Sequence, residues 1–126
     1  METRNIRWVG IGTPNYDSMS ALLRDVLRLR VDFEEPTTIE FSTSDGDRVQ
    51  LMAPGHPYFE FFERHARGPV PLFEVDDLAS ARRELIDAGI EIVGNIGRDG
   101  EWEWLHFRAP DGNLYELASR RRHKRE

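Results

Sequence analysis

The sequence has 126 residues, a net charge of −6, 39% hydrophobic and 32% charged residues, and no cysteine. This length is typical of one domain that buries a core and one pocket, and the composition excludes a disordered chain. The lack of cysteine excludes disulfides, thiolate metal ligands and a cysteine nucleophile. No apolar run reaches the roughly 20 residues of a membrane-spanning helix, and the first residues do not resemble a signal peptide, so we expect a cytoplasmic protein.

The charge is unevenly distributed along the chain. The C-terminal end, 119–126, carries +4, so the preceding residues carry −10; its basic residues are Arg120, Arg121, Arg122, Lys124 and Arg125. Such an acidic body repels nucleic acid phosphates and anionic lipid surfaces. We therefore expect no nucleic-acid or membrane partner, and we interpret residues 119–126 as a solvated basic tail.

A first βαβββ module is predicted over residues 6–53. In its opening strand, Ile6 to Gly12, Val9 and Ile11 share one face while Trp8, Gly10 and Gly12 share the other. Asp17 or Ser18 begins a helix that ends near Leu29, with apolar residues at three- and four-residue spacing: Met19, Leu22, Leu23, Val26 and Leu27. Three strands follow, and the last two form a hairpin around Asp45-Gly46: Val31–Phe33, Ile39–Thr43 and Arg48–Ala53.

The residues from 54 to 69 are rich in proline and glycine and are predicted to connect two modules. One helical turn within them would pack Phe59 and Phe62 against the body. His56 and His65 fall in this connection, and we interpret both as surface residues.

A second βαβββ module is predicted over residues 70–118. Its first strand is Val70–Val75, and Asp76-Asp77 caps a helix, Leu78–Ala88, that stops at Gly89. Three strands follow: Ile90–Ile96, Trp102–Arg108 and Leu114–Ala118. Gly97 to Gly100 forms the turn between the first two of them. A hairpin turn at Asp111-Gly112 precedes the last strand.

The two modules are related in sequence as well as in pattern. Ala21 to Leu27 matches Ser80 to Ile86 at a shift of 59 positions, and both modules close with Asp-Gly. Two such units predict an α+β fold in which strands form one curved mixed sheet with helices outside and a pocket on the concave face. Whether the modules pair within a chain or across a dimer is left open.

Several stretches resemble the vicinal oxygen chelate superfamily, which includes glyoxalase I, bleomycin-resistance proteins, fosfomycin-resistance enzymes and extradiol dioxygenases. The resemblance covers residues 6–118 and rests on Arg24-Asp25-Val26-Leu27, Phe73-Glu74-Val75-Asp76-Asp77-Leu78, Ala88-Gly89-Ile90 and Phe107 to Leu117. It implies the paired-module fold and a small-molecule ligand, and it suggests a homodimer. It does not choose a function, because the superfamily contains isomerases, dioxygenases, transferases and proteins that bind drugs without catalysis.

The resemblance also implies where a divalent metal would bind. The family's metal enzymes take ligands from four strands, at positions that correspond here to Trp8, Gln50, Val70 and Glu116. An indole and an isopropyl group offer a metal no usable lone pair, and a neutral amide is a weak ligand. We therefore expect no metal cofactor; the alternative is one divalent metal at Glu116, assisted by Gln50 and His106.

The second hairpin predicts which side chains share the concave face. If Arg108 pairs with Leu114, counting along the strands puts His106 beside Glu116 and Trp104 beside Ala118, with Trp102 on the same side. The predicted ligand-binding residues are Trp8, Gln50, Trp102, Trp104, His106 and Glu116, with Val70 and Leu72 as an apolar floor.

Three functions follow from this surface. The first is binding of a small aromatic or apolar ligand in a metal-free pocket, by stacking on tryptophan and by polar contacts. The second is an enzyme of isomerase, lyase or dioxygenase type, with His106 and Glu116 as a candidate catalytic acid–base pair. The third is an interaction module whose tryptophans pack against a partner; His106 and Glu116 would then be a structural pair.

Overall fold

The computed structural model describes residues 1–121, in which two βαβββ units are joined by a short helix. The first unit contains β1 (Thr3–Gly12), α1 (Tyr16–Ala21), β2 (Arg30–Glu35), β3 (Thr38–Ser42) and β4 (Arg48–Met52). The joining helix is α2 (Phe59–His65). The second unit contains β5 (Val70–Val75), α3 (Leu78–Asp87), β6 (Ile92–Asp99), β7 (Trp102–Arg108) and β8 (Leu114–Arg120).

All eight strands form one mixed sheet in the order β2-β3-β4-β1-β5-β8-β7-β6. β1 runs parallel to β4, and β5 runs parallel to β8. At the centre β1 pairs with β5 in antiparallel orientation, with Trp8 opposite Leu72, so the two units pair within one chain. The predicted fold class, a curved mixed sheet of α+β type, is confirmed.

Alternation along the strands separates two faces of the sheet. Two core clusters lie under α1 and α3, and their most buried members are Phe41, Leu51, Leu78, Ala81 and Leu105. Because successive side chains point to opposite faces, the neighbours of these residues on β3, β4 and β7 point to the concave side. Polar side chains in the middle of these strands are thereby directed toward a cavity.

The connecting helix α2 lies on the concave side, unlike α1 and α3. Its buried residues are Phe59 and Phe62, as the sequence indicated. The ring of Phe62 lies against Gly10, where a Cβ atom would come within 3.0 Å of it. Phe62 also packs against Met52, Val70 and other residues of a third core cluster. Thus α2 covers one end of the concave face and leaves the other end open.

The first helix differs from its prediction. It is capped at Asn15 with no side-chain hydrogen bond, and after Ala21 it continues as a π-helical segment, Leu22–Val26. The N–H of Leu27 donates to the carbonyl of Leu22 over 2.9 Å, which places one extra residue in the turn. Met19 and Leu23 of the predicted apolar stripe still pack in the core under this helix, whereas Val26 and Leu27 are 68% and 57% exposed.

Strand ends also differ from the prediction. β2 extends over six exposed residues at the sheet edge, and β6 continues through the predicted turn to Asp99. β8 runs to Arg120, so residue 119 belongs to the strand and not to a solvated tail; Ser119 is 1% exposed. The rest of the predicted tail, residues 122–126, lies outside the described residues. None of the helices in residues 1–121 is long and apolar enough to cross a membrane.

The close packing of Gly97 under Trp104 supplies a test of this fold. Gly97 pairs with Trp104 across β6 and β7, and a Cβ atom at Gly97 would overlap the indole. The indole is held by a hydrogen bond from its Nε1 to the Tyr58 hydroxyl, so it has little freedom to yield. Gly97→Ala is expected to lower the free energy of unfolding by about 1–3 kcal/mol, measured by urea denaturation.

The matched control is Gly68→Ala, since a Cβ atom there meets nothing within 4 Å. It should leave the unfolding free energy nearly unchanged. Equal stability of the two variants would show that Trp104 does not lie over Gly97.

Candidate functional site

A cavity of about 270 Å³ lies on the concave face beside α2. Seven of the eight predicted ligand-binding residues line it: Trp8, Gln50, Leu72, Trp102, Trp104, His106 and Glu116. Val70, predicted as part of the floor, is not among the lining residues. It is 1% exposed and packs with Phe62 in the cluster beneath α2, because the helix covers that part of the sheet.

Strand register brings the polar lining residues into two rows. On one half of the sheet, Glu40 is opposite Gln50, and Gln50 is opposite Gly10. On the other half, Leu72 is opposite Glu116, and Glu116 is opposite His106. The second row reproduces the register counted from the hairpin at Asp111-Gly112.

His106 and Glu116 form a close pair at the second row. The Nε2 atom of His106 lies 3.2 Å from Oε1 of Glu116, and the two side chains are only 3% and 11% exposed. Phe61 packs against the imidazole with ring centroids 4.8 Å apart, and Tyr58 and Phe62 also contact it. A proton can pass between this imidazole and this carboxylate with little interference from water, which is what acid–base chemistry requires.

Tyr58 belongs to the site but carried no signal in the sequence. It precedes α2, and its hydroxyl accepts a hydrogen bond of 3.0 Å from Nε1 of Trp104. The two rings meet edge to face, with centroids 6.4 Å apart. Nothing in the connection indicated that α2 would cross the concave face, so only the tertiary structure places Tyr58 beside Trp104.

Gln50 is held in one orientation. Its Nε2 donates to Oγ1 of Thr38 over 3.1 Å, and the Thr38 hydroxyl donates to the carbonyl of Leu51 over 2.7 Å. With the amide nitrogen engaged by a buried hydroxyl, the amide oxygen of Gln50 is the atom left to accept a hydrogen bond from a ligand.

Glu40 is a second carboxylate at the cavity that sequence reasoning missed. It is half-buried, and burial raises the pKa of its carboxyl; Asp32 adds to this shift and Arg48 opposes it. Within residues 1–121 its carboxylate forms no ion pair. The first hairpin contained the signal, because counting back from Asp45-Gly46 places Glu40 opposite Gln50.

The interpretation of His56 as a surface residue is wrong. His56 is partly buried and lines the cavity, and its Nδ1 accepts a hydrogen bond of 3.1 Å from the N–H of Tyr58. Burial lowers the pKa of this imidazole, although Glu35 opposes the shift, so the ring is neutral at pH 7. His65 is partly buried too, and its Nδ1 lies 3.1 Å from Nη2 of Arg108; it does not line the cavity.

Trp102 lies at the cavity beneath two arginine side chains. The guanidinium carbons of Arg7 and Arg120 lie 4.6 Å and 4.8 Å from its ring centroid. Each guanidinium also contacts a carboxylate, Arg7 with Glu74 at 3.4 Å and Arg120 with Glu101 at 2.9 Å. The cation–π contacts fix the indole at the edge of the cavity.

The residues present do not fit the divalent metal of the family's metal enzymes. Of the four corresponding positions, Trp8 and Val70 supply no ligand atom, and Gln50 offers only the oxygen of a neutral amide, which is a weak ligand. Glu116 is the one good metal ligand left at these four positions, and its carboxylate is in contact with His106. Within the described part of the chain, no group of three His, Asp or Glu side chains is arranged to hold an ion, and catalytic metal sites generally have three protein ligands.

Comparison with known proteins agrees with the fold. Residues 5–117 match the model of the Glyoxalase/Bleomycin resistance protein/Dioxygenase superfamily. The ethylmalonyl-CoA/methylmalonyl-CoA epimerase of Cereibacter sphaeroides is 30% identical over 124 residues, covering 86% of this chain and 92% of that protein. The chain belongs to this superfamily, and the resemblance seen in the sequence is confirmed.

Solved structures of the superfamily have the same architecture. A member from Vibrio splendidus 12B01 aligns with a TM-score of 0.70 at 17% identity, covering 94% of this chain and 99% of that one. Methylmalonyl-CoA epimerase from Mycobacterium tuberculosis aligns with a TM-score of 0.63 at 20% identity, covering 91% and 85%. At such identities the similarity supports the fold and not a shared activity.

The burial of Glu40 predicts a dependence of stability on pH. Glu40→Gln should raise the free energy of unfolding at pH 7, because the folded protein penalises the charged carboxyl and an amide avoids that penalty. The Glu40 carboxyl has a higher pKa in the folded protein than its ordinary value of 4.5 in the unfolded chain. The gain in unfolding free energy from the substitution should therefore shrink as the pH falls through the raised pKa, and it should be absent below 4.5, where the carboxyl is protonated in both states. Urea unfolding of both proteins across this range measures the gain.

Glu63→Gln is the control, because Glu63 is exposed on α2. It should show no comparable gain. A Glu40→Gln variant that is less stable at pH 7, or whose gain increases in acid, would contradict the effect of burial.

Proposed function

We propose that this protein binds a small aromatic or apolar organic ligand in the cavity beside α2, without a metal ion. The observation that supports this most directly is the lining itself, in which aromatic rings of Trp8, Tyr58 and Trp104 surround a volume of about 270 Å³. A few polar groups, chiefly Gln50 and Glu116, stand among them. Ligand sites in proteins are concave, mainly apolar, and oriented by a few such groups.

Metal independence is part of this proposal and rests on the chemistry of the side chains. The two positions occupied by Trp8 and Val70 have exchanged ligand atoms for apolar surface. The indole ring of Trp8 lines the cavity, where it can stack on a ligand but cannot coordinate a metal. The exchange therefore favours a binding site over a metal centre.

Tryptophan fluorescence tests the binding function, because all three tryptophans line the cavity. Titration with a panel of small non-fluorescent aromatic compounds should quench or shift the emission for some members. Trp104→Phe should weaken their binding roughly three- to tenfold, since the stacking area and the hydrogen bond to Tyr58 are reduced. Calorimetry gives the dissociation constants without relying on the mutated fluorophore.

Tyr115→Phe is the control for the binding test, because Tyr115 stacks on Phe73 away from the cavity lining. It should leave the dissociation constants unchanged, as should prior removal of divalent ions with EDTA. A panel that never changes the emission, or binding that EDTA abolishes, would contradict the proposed function.

A second candidate function is an enzyme of isomerase type, and the buried His106–Glu116 pair favours it. The relative of 30% identity is named as an epimerase acting on ethylmalonyl-CoA and methylmalonyl-CoA. Epimerisation removes and returns a proton at one carbon, and a carboxylate in contact with an imidazole 3.2 Å away can carry a proton in both directions.

Under this second function, the protein should incorporate deuterium at the acidic carbon of methylmalonyl-CoA in D₂O, as measured by mass spectrometry. His106→Asn and Glu116→Gln should each slow the exchange by roughly 10²-fold or more, because each removes a proton-transferring group. Glu63→Gln should leave the rate unchanged. Exchange no faster than in buffer would exclude this substrate, and exchange that survives both substitutions would exclude the pair.

A further inference from the structure

The charged side chains that line the cavity share one sign. Glu40, Asp99 and Glu116 are all carboxylates, and no lysine or arginine of the described chain is among the lining residues. His56 adds no positive charge at pH 7, because burial lowers the pKa of its ring. The cavity is therefore an acidic, partly desolvated environment, in which an anionic ligand is repelled.

Two guanidinium groups lie at the edge of the cavity and are already engaged, whereas Arg48, which acts on Glu40 electrostatically, is not a lining residue. Arg7 and Arg120 lie over the Trp102 ring and contact Glu74 and Glu101. A ligand anion would have to compete with these carboxylates for them.

At the Glu40 end of the cavity, the carboxylate of Glu40 and the amide oxygen of Gln50 are hydrogen-bond acceptors. Gln50 presents its amide oxygen, since its nitrogen is bonded to Thr38. Nε1 of Trp104 is engaged within the wall, where it donates to the Tyr58 hydroxyl. A ligand group that binds between Glu40 and Gln50 must consequently supply donors of its own.

Two of the three lining carboxylates, Glu40 and Glu116, differ in their surroundings. Glu116 is in contact with His106, whereas Glu40 has no ion-pair partner among residues 1–121. Four strand steps separate β3 from β8, about 19 Å along the sheet at roughly 4.8 Å per step. Between them the cavity surface includes Trp8 and Leu72, which are paired across β1 and β5 and are apolar.

We propose that the ligand of this cavity is an organic cation, with a protonated amine or amidine at Glu40 and Gln50 and an aromatic body extending over Trp8 and Leu72 toward Trp104. This inference rests on the proposed binding function and specifies its ligand class. Glu40 supplies the counter-charge and Gln50 an acceptor, and the tryptophan faces attract positive charge by cation–π interaction.

The proposal gives the carboxylate of Glu40 a role. A half-buried carboxylate without a partner costs stability, and such groups persist where they serve a function. It also separates this chain from its epimerase relative, since an acyl-CoA that bears a free carboxylate is the wrong charge for the cavity.

Isothermal titration calorimetry of the whole protein at pH 7 with three naphthalene probes tests the charge preference. They are 1-naphthylmethylamine, which is cationic, 1-naphthylmethanol, which is neutral, and 1-naphthoate, which is anionic. The amine should bind roughly tenfold more tightly than the alcohol, and the naphthoate should bind most weakly. Glu40→Gln should abolish most of the advantage of the amine over the alcohol, whereas Glu63→Gln should preserve it.

The outcomes separate this inference from the proposed function. If the alcohol or the naphthoate binds as tightly as the amine, or if Glu40→Gln keeps the full advantage of the amine, the cation inference is wrong while binding of apolar ligands stands. If none of the three probes binds, the cation inference and the proposed function fail together. Circular dichroism verifies that the Glu40→Gln variant is folded.

Discussion

The antiparallel pairing of β1 with β5 is the interaction on which the site depends. It joins two four-stranded halves into one sheet. It also sets Trp8 opposite Leu72, so the row of residues that contains Gln50 and the row that contains Glu116 line the same cavity. Neither half could enclose a cavity alone, because each supplies one wall. The glycine at position 10 makes the join flat enough for Phe62 to settle on it, and α2 then closes one end.

The cavity lacks most of the ligand atoms that the superfamily's metal enzymes require at the corresponding positions. Tryptophan and valine stand where lone pairs would be needed, and the surviving carboxylate of Glu116 is in contact with His106. Buried charged groups are expensive unless they are paired. The site therefore keeps one carboxylate beside an imidazole and a second, Glu40, beside an amide, an arrangement suited to orienting a ligand.

The same residues of this site could serve either ligand binding or catalysis. The same desolvated pair that would orient a ligand could shuttle a proton if a substrate placed an acidic carbon beside it, since proton transfer needs only short contacts and exclusion of water. The charge of the lining decides which molecules can approach, and in this chain the lining is acidic. Under the proposed function, the charge of the cavity walls would select the ligand more than the His106–Glu116 pair itself.

Much of this arrangement is local and was readable from the sequence. The two-residue period of the strands and the Asp-Gly turns determined which side chains share a face, and the counted register of His106, Glu116, Trp104 and Ala118 agrees with the pairing observed. The path of the chain between the modules, the π-helical segment after Ala21 and the place of Val70 depend on long-range packing. Side chains such as Tyr58 and His56 reach the cavity only because α2 packs across the sheet, and a sequence period carries no information about contacts of that kind.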